Sequence, residues 1–223
     1  MVREGRHSAT DEDRFPGYDV ANKRDTLSWD AVTRTAINRR LAVPHEPRFL
    51  APPQWRTLDA LCRRILPQPA DRPPIPLAAL LDATLCAGGT QGFRVHPLPH
   101  DPDAWKHGLD ALDAEAREQF GAAFCELAED TQDSLLVQAQ NGKLHNPAWD
   151  PMTAQLFFEK RILVDIPAMY YSHPTAWNEI GFGGPASPRG YVRMELNRRD
   201  PWEAVERKPG HEAEARLQNR HVG

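Results

Sequence analysis

The chain has 223 residues, of which 26% are charged and 40% hydrophobic, a composition that folds rather than one that stays disordered. Its formal net charge is −4, and its Arg residues alternate with Asp and Glu instead of gathering on one face. That excludes nucleic acid as the main partner, because phosphate binding needs a concentrated basic surface.

The 21 prolines shape everything else. Proline breaks helix and sheet interiors and lacks a backbone donor, so short helices joined by long ordered loops are expected. Such loops are often fixed by a partner surface. The three cysteines, Cys62, Cys86 and Cys125, form no CxxC pair, which removes zinc-ribbon and thioredoxin readings. The odd number leaves room for an intermolecular disulfide. MVREGRHSATDEDRF has no apolar core of a secretory signal, and no run reaches the roughly 18 apolar residues of a membrane helix. The expected compartment is therefore the cytoplasm, or the periplasm if a leader has been removed, with no membrane insertion by this chain.

Residues 1–13 are polar and read as disordered. RFPGYDV, Arg14 to Val20, reads as an extended arm with a turn at Pro16-Gly17. Ser28 is a candidate N-cap for a helix from Trp29 to about Leu41. A second helix spans roughly Gln54 to Leu66, with Trp55, Leu58, Leu61, Cys62 and Ile65 on one face. Residues 67–76 hold five prolines and read as a rigid linker or wrapping loop. A third helix covers about Leu77 to Ala87 and ends at Gly88-Gly89. Residues 88–102 read as loop.

A fourth helix begins near Asp103, and a fifth is expected over Asp113 to Ala128. A sixth starts at Asp130 or Thr131, runs to about Gln140, and ends at Asn141-Gly142. The last major helix is predicted over about Thr153 to Tyr170, with Pro167 kinking it or marking its final turn. No strand pattern of useful length occurs. The fold is therefore read as all-α: one irregular helical domain over residues 14–202, with long Pro-rich loops and extended arms at both ends. Residues 203–223 read as a charged, frayed tail.

The segment YYSHPTAWNEIGFGGPASPRGYVRMELNRRDPW, Tyr170 to Trp202, is the most informative. GFGGP lacks the Lys-Ser/Thr of a phosphate loop and the strand and helix of a dinucleotide fingerprint. Its glycines are expected to let the backbone turn tightly or lie against another surface. His96, His100, His107, His145 and His173 show no metal-ligand spacing; those beside Pro147 and Pro174 read as turns whose histidine binds backbone or caps a helix. Ser172-His173 is no hydrolase signature, since the nucleophile elbow is missing. What remains is aromatic surface interleaved with Arg, the residue set of interface hot spots. The expected interface anchors are Phe15, Tyr18, Tyr170, Tyr171, His173, Trp177, Phe182, Arg189 and Tyr191. A partner surface, rather than the chain's own helices, is the expected cover of this stretch.

YYSHPTAWNEIGFGGPASPRGY, the helix before it and the N-terminal RFPGYDV…SWDAVTRTAINRRL together resemble the gluconate 2-dehydrogenase subunit 3 family. The resemblance runs from about Arg14 to Trp202. It implies a mostly helical small subunit, non-catalytic, that wraps and matures a large FAD-dependent subunit of the glucose–methanol–choline type. That large subunit would oxidise a sugar, a glucoside or a sugar acid and pass electrons to a cytochrome or another acceptor. FAD is expected there, and no cofactor, catalytic residue or metal in this chain. Many members begin with a twin-arginine signal; here Arg39-Arg40 lies inside a helix and no apolar run follows it. Two other readings stand beside this one. One is an independent carbohydrate enzyme using His96, His100, His145 or His173 in a metal-assisted or acid–base site. The other is a carbohydrate-binding module that stacks sugars on Trp and Tyr.

Overall fold

The computed structural model describes residues 13–88, 95–187, 190, 200 and 202–220. These residues are helical, with no strand; Trp29 and Ser187 form one isolated bridge. The contacts divide the chain into two compact units.

The unit of residues 43–172 is a helical cluster. Helix α2 (Pro52–Ile65) has prolines at its first positions, where a missing N–H costs nothing. It packs against α3 (Leu77–Cys86), α4 (Asp101–Phe120) and α5 (Glu129–Gln140). Leu58, Leu61 and Cys62 of α2 are buried in that contact, and burial pushes the Cys62 thiol up, as suits an inert core residue. The proline-rich loop after α2 is held by one side chain: Gln68 donates to the Ile75 carbonyl at 2.9 Å and accepts from the Ile75 amide at 2.7 Å. The start of α2 is held from α3. The buried Asp82 carboxylate accepts the backbone amides of Arg48 at 2.6 Å, Phe49 at 3.1 Å and Leu50 at 2.8 Å.

Two helix readings change here. The pair expected near Asp103 and over Asp113–Ala128 is a single helix, α4, ended by Gly121 in the left-handed conformation (φ 75°). A short 3₁₀ turn, Phe124–Glu126, follows. Asp113 ties the two together by accepting from the Phe124 amide at 3.0 Å and from Thr57 at 2.9 Å. Glycine rather than proline marks this break, and only the turn geometry reveals it.

The helix predicted over Thr153–Tyr170 is composite. Thr153 caps α6 (Ala154–Phe157) through its hydroxyl. A five-residue π-helical turn, Phe158–Ile162, follows, and α7 (Leu163–Ser172) continues through Pro167. A proline inside a helix withdraws one amide donor, and π turns are common where a ladder must adjust. The π turn carries Arg161 into the interior. Its guanidinium lies 2.9 Å from Asp101 and 3.6 Å from Asp165, all three buried. Trp105 donates to Asp165 at 2.7 Å.

The unit built from residues up to 42 and from 173 onward joins both ends of the chain. It contains a 3₁₀ turn (Val20–Lys23), α1 (Ala31–Leu41), α8 (Pro174–Ile180) and α9 (Glu212–Asn219). The cap of α1 is Asp30, whose carboxylate accepts the Thr33 amide at 2.7 Å, and not Ser28, which is buried. Asp is the stronger cap here because it is also charged at the positive end of the helix. The stretch after Glu203, expected to fray, instead carries α9. Asn219 donates to the carbonyls of Pro16 at 3.1 Å and Val205 at 2.9 Å and accepts the Val205 amide at 2.7 Å. Arg14 pairs with Glu206. No helix among the described residues is long and apolar enough to cross a membrane.

Candidate functional site

The site residues expected from sequence fall in both units. In the terminal unit, the arm Arg14–Val20 lies in a core of Phe15, Tyr18, Val20, Trp29, Ile37, Trp177 and Ala204, with Trp202 packed against it. The arm is pinned by polar contacts as well. The Val20 amide donates to Asn178 at 2.8 Å, Asn178 donates to Asp19 at 3.2 Å, and the Tyr18 hydroxyl donates to the Phe182 carbonyl at 3.4 Å. Buried Lys23 donates to the Gly183 carbonyl at 3.0 Å.

This geometry accounts for GFGGP. At the end of α8, the Phe182 amide donates to the Trp177 carbonyl at 2.9 Å and the Gly181 amide to the Asn178 carbonyl at 3.4 Å. Gly181 sits at φ 65°, and the Phe182 and Trp177 rings meet edge to face at 5.5 Å. That is a left-handed helix stop with its hydrophobic contact. A Cβ on Gly181 would lie 2.5 Å from the Phe15 ring. Gly184, also left-handed, has the Trp177 ring and Val20 at 3.1 Å from the same position. The surface on which these glycines lie is the unit's own aromatic core.

His173 is the N-cap of α8: its Nδ1 accepts the Thr175 amide at 3.3 Å. That is the structural role that a His-Pro pair suggests at the start of a helix. His107 approaches the Trp149 carbonyl at 3.2 Å. Among the described residues no three His, Cys, Asp or Glu side chains come together as metal ligands.

The helical unit holds the tyrosine pair on α7. Tyr170 is buried and accepts from Arg72 at 2.8 Å; Tyr171 packs edge to face on it at 5.2 Å and is 50% exposed. The expected anchors thus separate into two sets. Phe15, Tyr18, Tyr170, His173 and Trp177 are buried by this chain itself, so the expectation that a neighbour covers them is corrected for these five. For Phe15, Tyr18 and Trp177 the companions include residues 150 or more positions away in sequence, a proximity that no local pattern could reveal. Tyr171, and Phe182 at 43% exposure, are about half exposed. Arg189 and Tyr191 lie outside the described residues.

Sequence reasoning missed an inversion on α7. The one charged residue of the helix, Asp165, is 2% exposed, while Leu163 and Val164 stand in solvent. The signal was available: from Leu163 to Ser172 the helix is apolar all round apart from that aspartate, and such helices are normally covered on every side. Burial holds the Asp165 carboxyl above the usual carboxylate range, against the lowering effects of Trp105 and Arg161.

The family model described as gluconate 2-dehydrogenase subunit 3 matches residues 52–184. The chain belongs to that family. The matched stretch includes α2 through α8 and the GFGG stop, while the RFPGYDV arm and everything after Gly184 lie outside it. The subunit 3 family takes its name from a component of a multi-subunit dehydrogenase, so membership points to a complex. Neither a curated protein nor a solved structure was found to match the chain.

Proposed function

We propose that this chain is the non-catalytic small subunit of an FAD-dependent dehydrogenase of the glucose–methanol–choline type, acting on a sugar, glucoside or sugar acid. It binds the large subunit and supports its folding and flavin loading. The single observation that carries the reading is the family match across residues 52–184. The structure is compatible with it in a specific way. Of the histidines considered for chemistry, His173 caps a helix, and the buried charges Asp82 and Lys23 hold backbone amides and a carbonyl. Its exposed side chains include large apolar and aromatic ones, Tyr171 and Phe182 among them, and such groups serve contact better than catalysis.

The test is expression of the large flavoprotein subunit from the same organism with and without this chain. With it, the large subunit is expected to be soluble, yellow and active, and the two should co-purify at a fixed ratio. A large subunit that reaches the same flavin content and specific activity alone would overturn the maturation role. Turnover of sugars by the small chain alone would overturn its assignment as non-catalytic.

A further inference from the structure

Two carboxylates share one guanidinium inside the helical unit. Arg161, on the π turn, stands between Asp101 in the first turn of α4 and Asp165 on α7. Its Nη1 lies 2.9 Å from Asp101 and 3.6 Å from Asp165. Neither approach is aligned as a hydrogen bond: Nε and Nη1 of Arg161 and Oδ1 of Asp165 are buried without a hydrogen-bond partner among the described residues. The other oxygen of Asp165 is taken by the Trp105 indole at 2.7 Å. A guanidinium is a planar fork that binds a carboxylate best through two parallel N–H donors, and buried polar groups are normally paired. An arginine held between two acceptors and aligned with neither has a second arrangement within reach. A rotation about its side chain turns the Nε edge toward Oδ1 of Asp165.

The proton on Asp165 decides between the two arrangements. Burial holds this carboxyl above the usual range. While it is neutral, the charged partner of Arg161 is Asp101. Once its proton leaves for solvent, a bare carboxylate sits in the interior, where a charge persists only when paired. Arg161 is four residues before it, on the same helix face. Asp101 makes a further interaction of its own, so it keeps a partner when Arg161 turns away. The remaining charges on the elements packed against α7 are committed elsewhere. Asp82 of α3 holds backbone amides. On α2, Asp59 pairs with Arg63 and Arg64 with Asp133, Arg56 is exposed, and burial keeps the Cys62 thiol neutral. Glu159 and Lys160 of the π turn are exposed. The π turn is also where a small movement is most easily absorbed, because its backbone ladder is already out of α register.

We propose that Arg161 is a two-position latch: it ties the π turn to Asp101 of α4 while Asp165 is neutral, and turns to Asp165 along its own helix when that acid ionises. The latch lies wholly within the helical unit and works whether or not a partner is bound. Its closed position holds the start of α4 against the π turn and is favoured at low pH. Its open position replaces that tie between two elements by a tie within one, so the first turn of α4 loosens as pH rises. The direction agrees with linkage: a carboxyl held above its unfolded value adds stability at low pH that is lost as pH rises through the folded value.

The experiment is a pH titration of the full-length chain by side-chain NMR, from about pH 4 to 8. The Asp165 carboxyl carbon, the Trp105 indole N–H that it accepts and the Arg161 Nε–H should move together with one midpoint. Through the same midpoint, amide exchange at Ala104, bonded to the His100 carbonyl at 2.8 Å, should rise at least about threefold after correction for the intrinsic rate. In Asp165→Asn, which cannot ionise, the step should vanish at both Arg161 and Ala104. A titrating Asp165 beside an unmoved Arg161 Nε–H and a steady Ala104 would make it a buried acid and no latch. An Asp165 carbon that does not titrate in this range would remove the trigger, and a step that survives Asp165→Asn would belong to another group. Each of these overturns the proposal. The wild-type titration is read without any variant, so misfolding of Asp165→Asn would leave the test decisive.

Discussion

Trp177 and Phe182 are five residues apart, pack edge to face, and should differ in how much their truncation costs. Trp177 is 3% exposed and sits among Phe15, Tyr18, Val20, Trp29 and Ile37. Its backbone carbonyl also stops α8, but that contact survives mutation. Trp177→Ala deletes a whole indole from a packed core. Burying a large aromatic and leaving a cavity puts the cost at about 3–5 kcal/mol. For a chain of this length that is a fall in Tm of roughly 6–20 °C. Phe182 keeps almost half its surface in water, so its truncation loses about half of a 1.5–3 kcal/mol burial and an edge-to-face contact of about 0.5–1.5 kcal/mol. The sum is roughly 1–3 kcal/mol. Urea unfolding of both variants, followed by tryptophan fluorescence and far-UV circular dichroism, measures the difference. Trp177→Ala should also speed amide exchange in the RFPGYDV arm, whose Val20 amide is held by Asn178 of the same helix. If Trp177→Ala costs less than about 1 kcal/mol, or less than Phe182→Ala, the aromatic cluster is not the core of this unit and the reasoning fails.

Gly181→Ala should destabilise by roughly 2–5 kcal/mol, about 1–2 for a side chain at φ 65° and about 1–3 for displacing the Phe15 ring; a denaturant midpoint equal to wild type would refute it. Asp82→Ala strips three amides of their charged acceptor and should cost about 3–5 kcal/mol. The loss should appear first as faster hydrogen exchange at Arg48, Phe49 and Leu50. Asp165 titrates above the usual range, so the folded chain binds this proton more tightly than the unfolded chain does. Its contribution is complete below the unfolded value of about 3.9 and is lost as pH rises through the folded value. Asp165→Asn keeps an acceptor for Trp105 but cannot titrate. Between about pH 4 and 8 wild type should therefore lose stability relative to the variant as pH rises; parallel profiles would contradict the shift.

The α2 and α3 boundaries were legible because proline and glycine act locally: Pro52 starts a helix and the Gly88 region ends one wherever the chain goes. α4 was legible as helix but not as one helix, since nothing local tells a capping turn at Gly121 from a continuing pattern. The π turn was not legible at all. It depends on Arg161 being drawn to Asp101, some 60 residues away in sequence. Among the site residues, Tyr171 and Phe182 are about half exposed, whereas Trp177, Phe15 and Tyr18 are indistinguishable from them by residue type and are buried.

The sequence by itself determined the all-α class, the stops of α2, α3 and α5 and the family, because proline, glycine and apolar periodicity write these into neighbouring residues. It also held the anomaly of α7, an apolar helix with a single carboxylate. Only the tertiary structure decided which aromatics are core and which are surface, and that the carboxylate faces inward. Burial is set by companions far along the chain: Arg161 and Trp105 draw Asp165 in, and that leaves Leu163, Val164 and Tyr171 facing out.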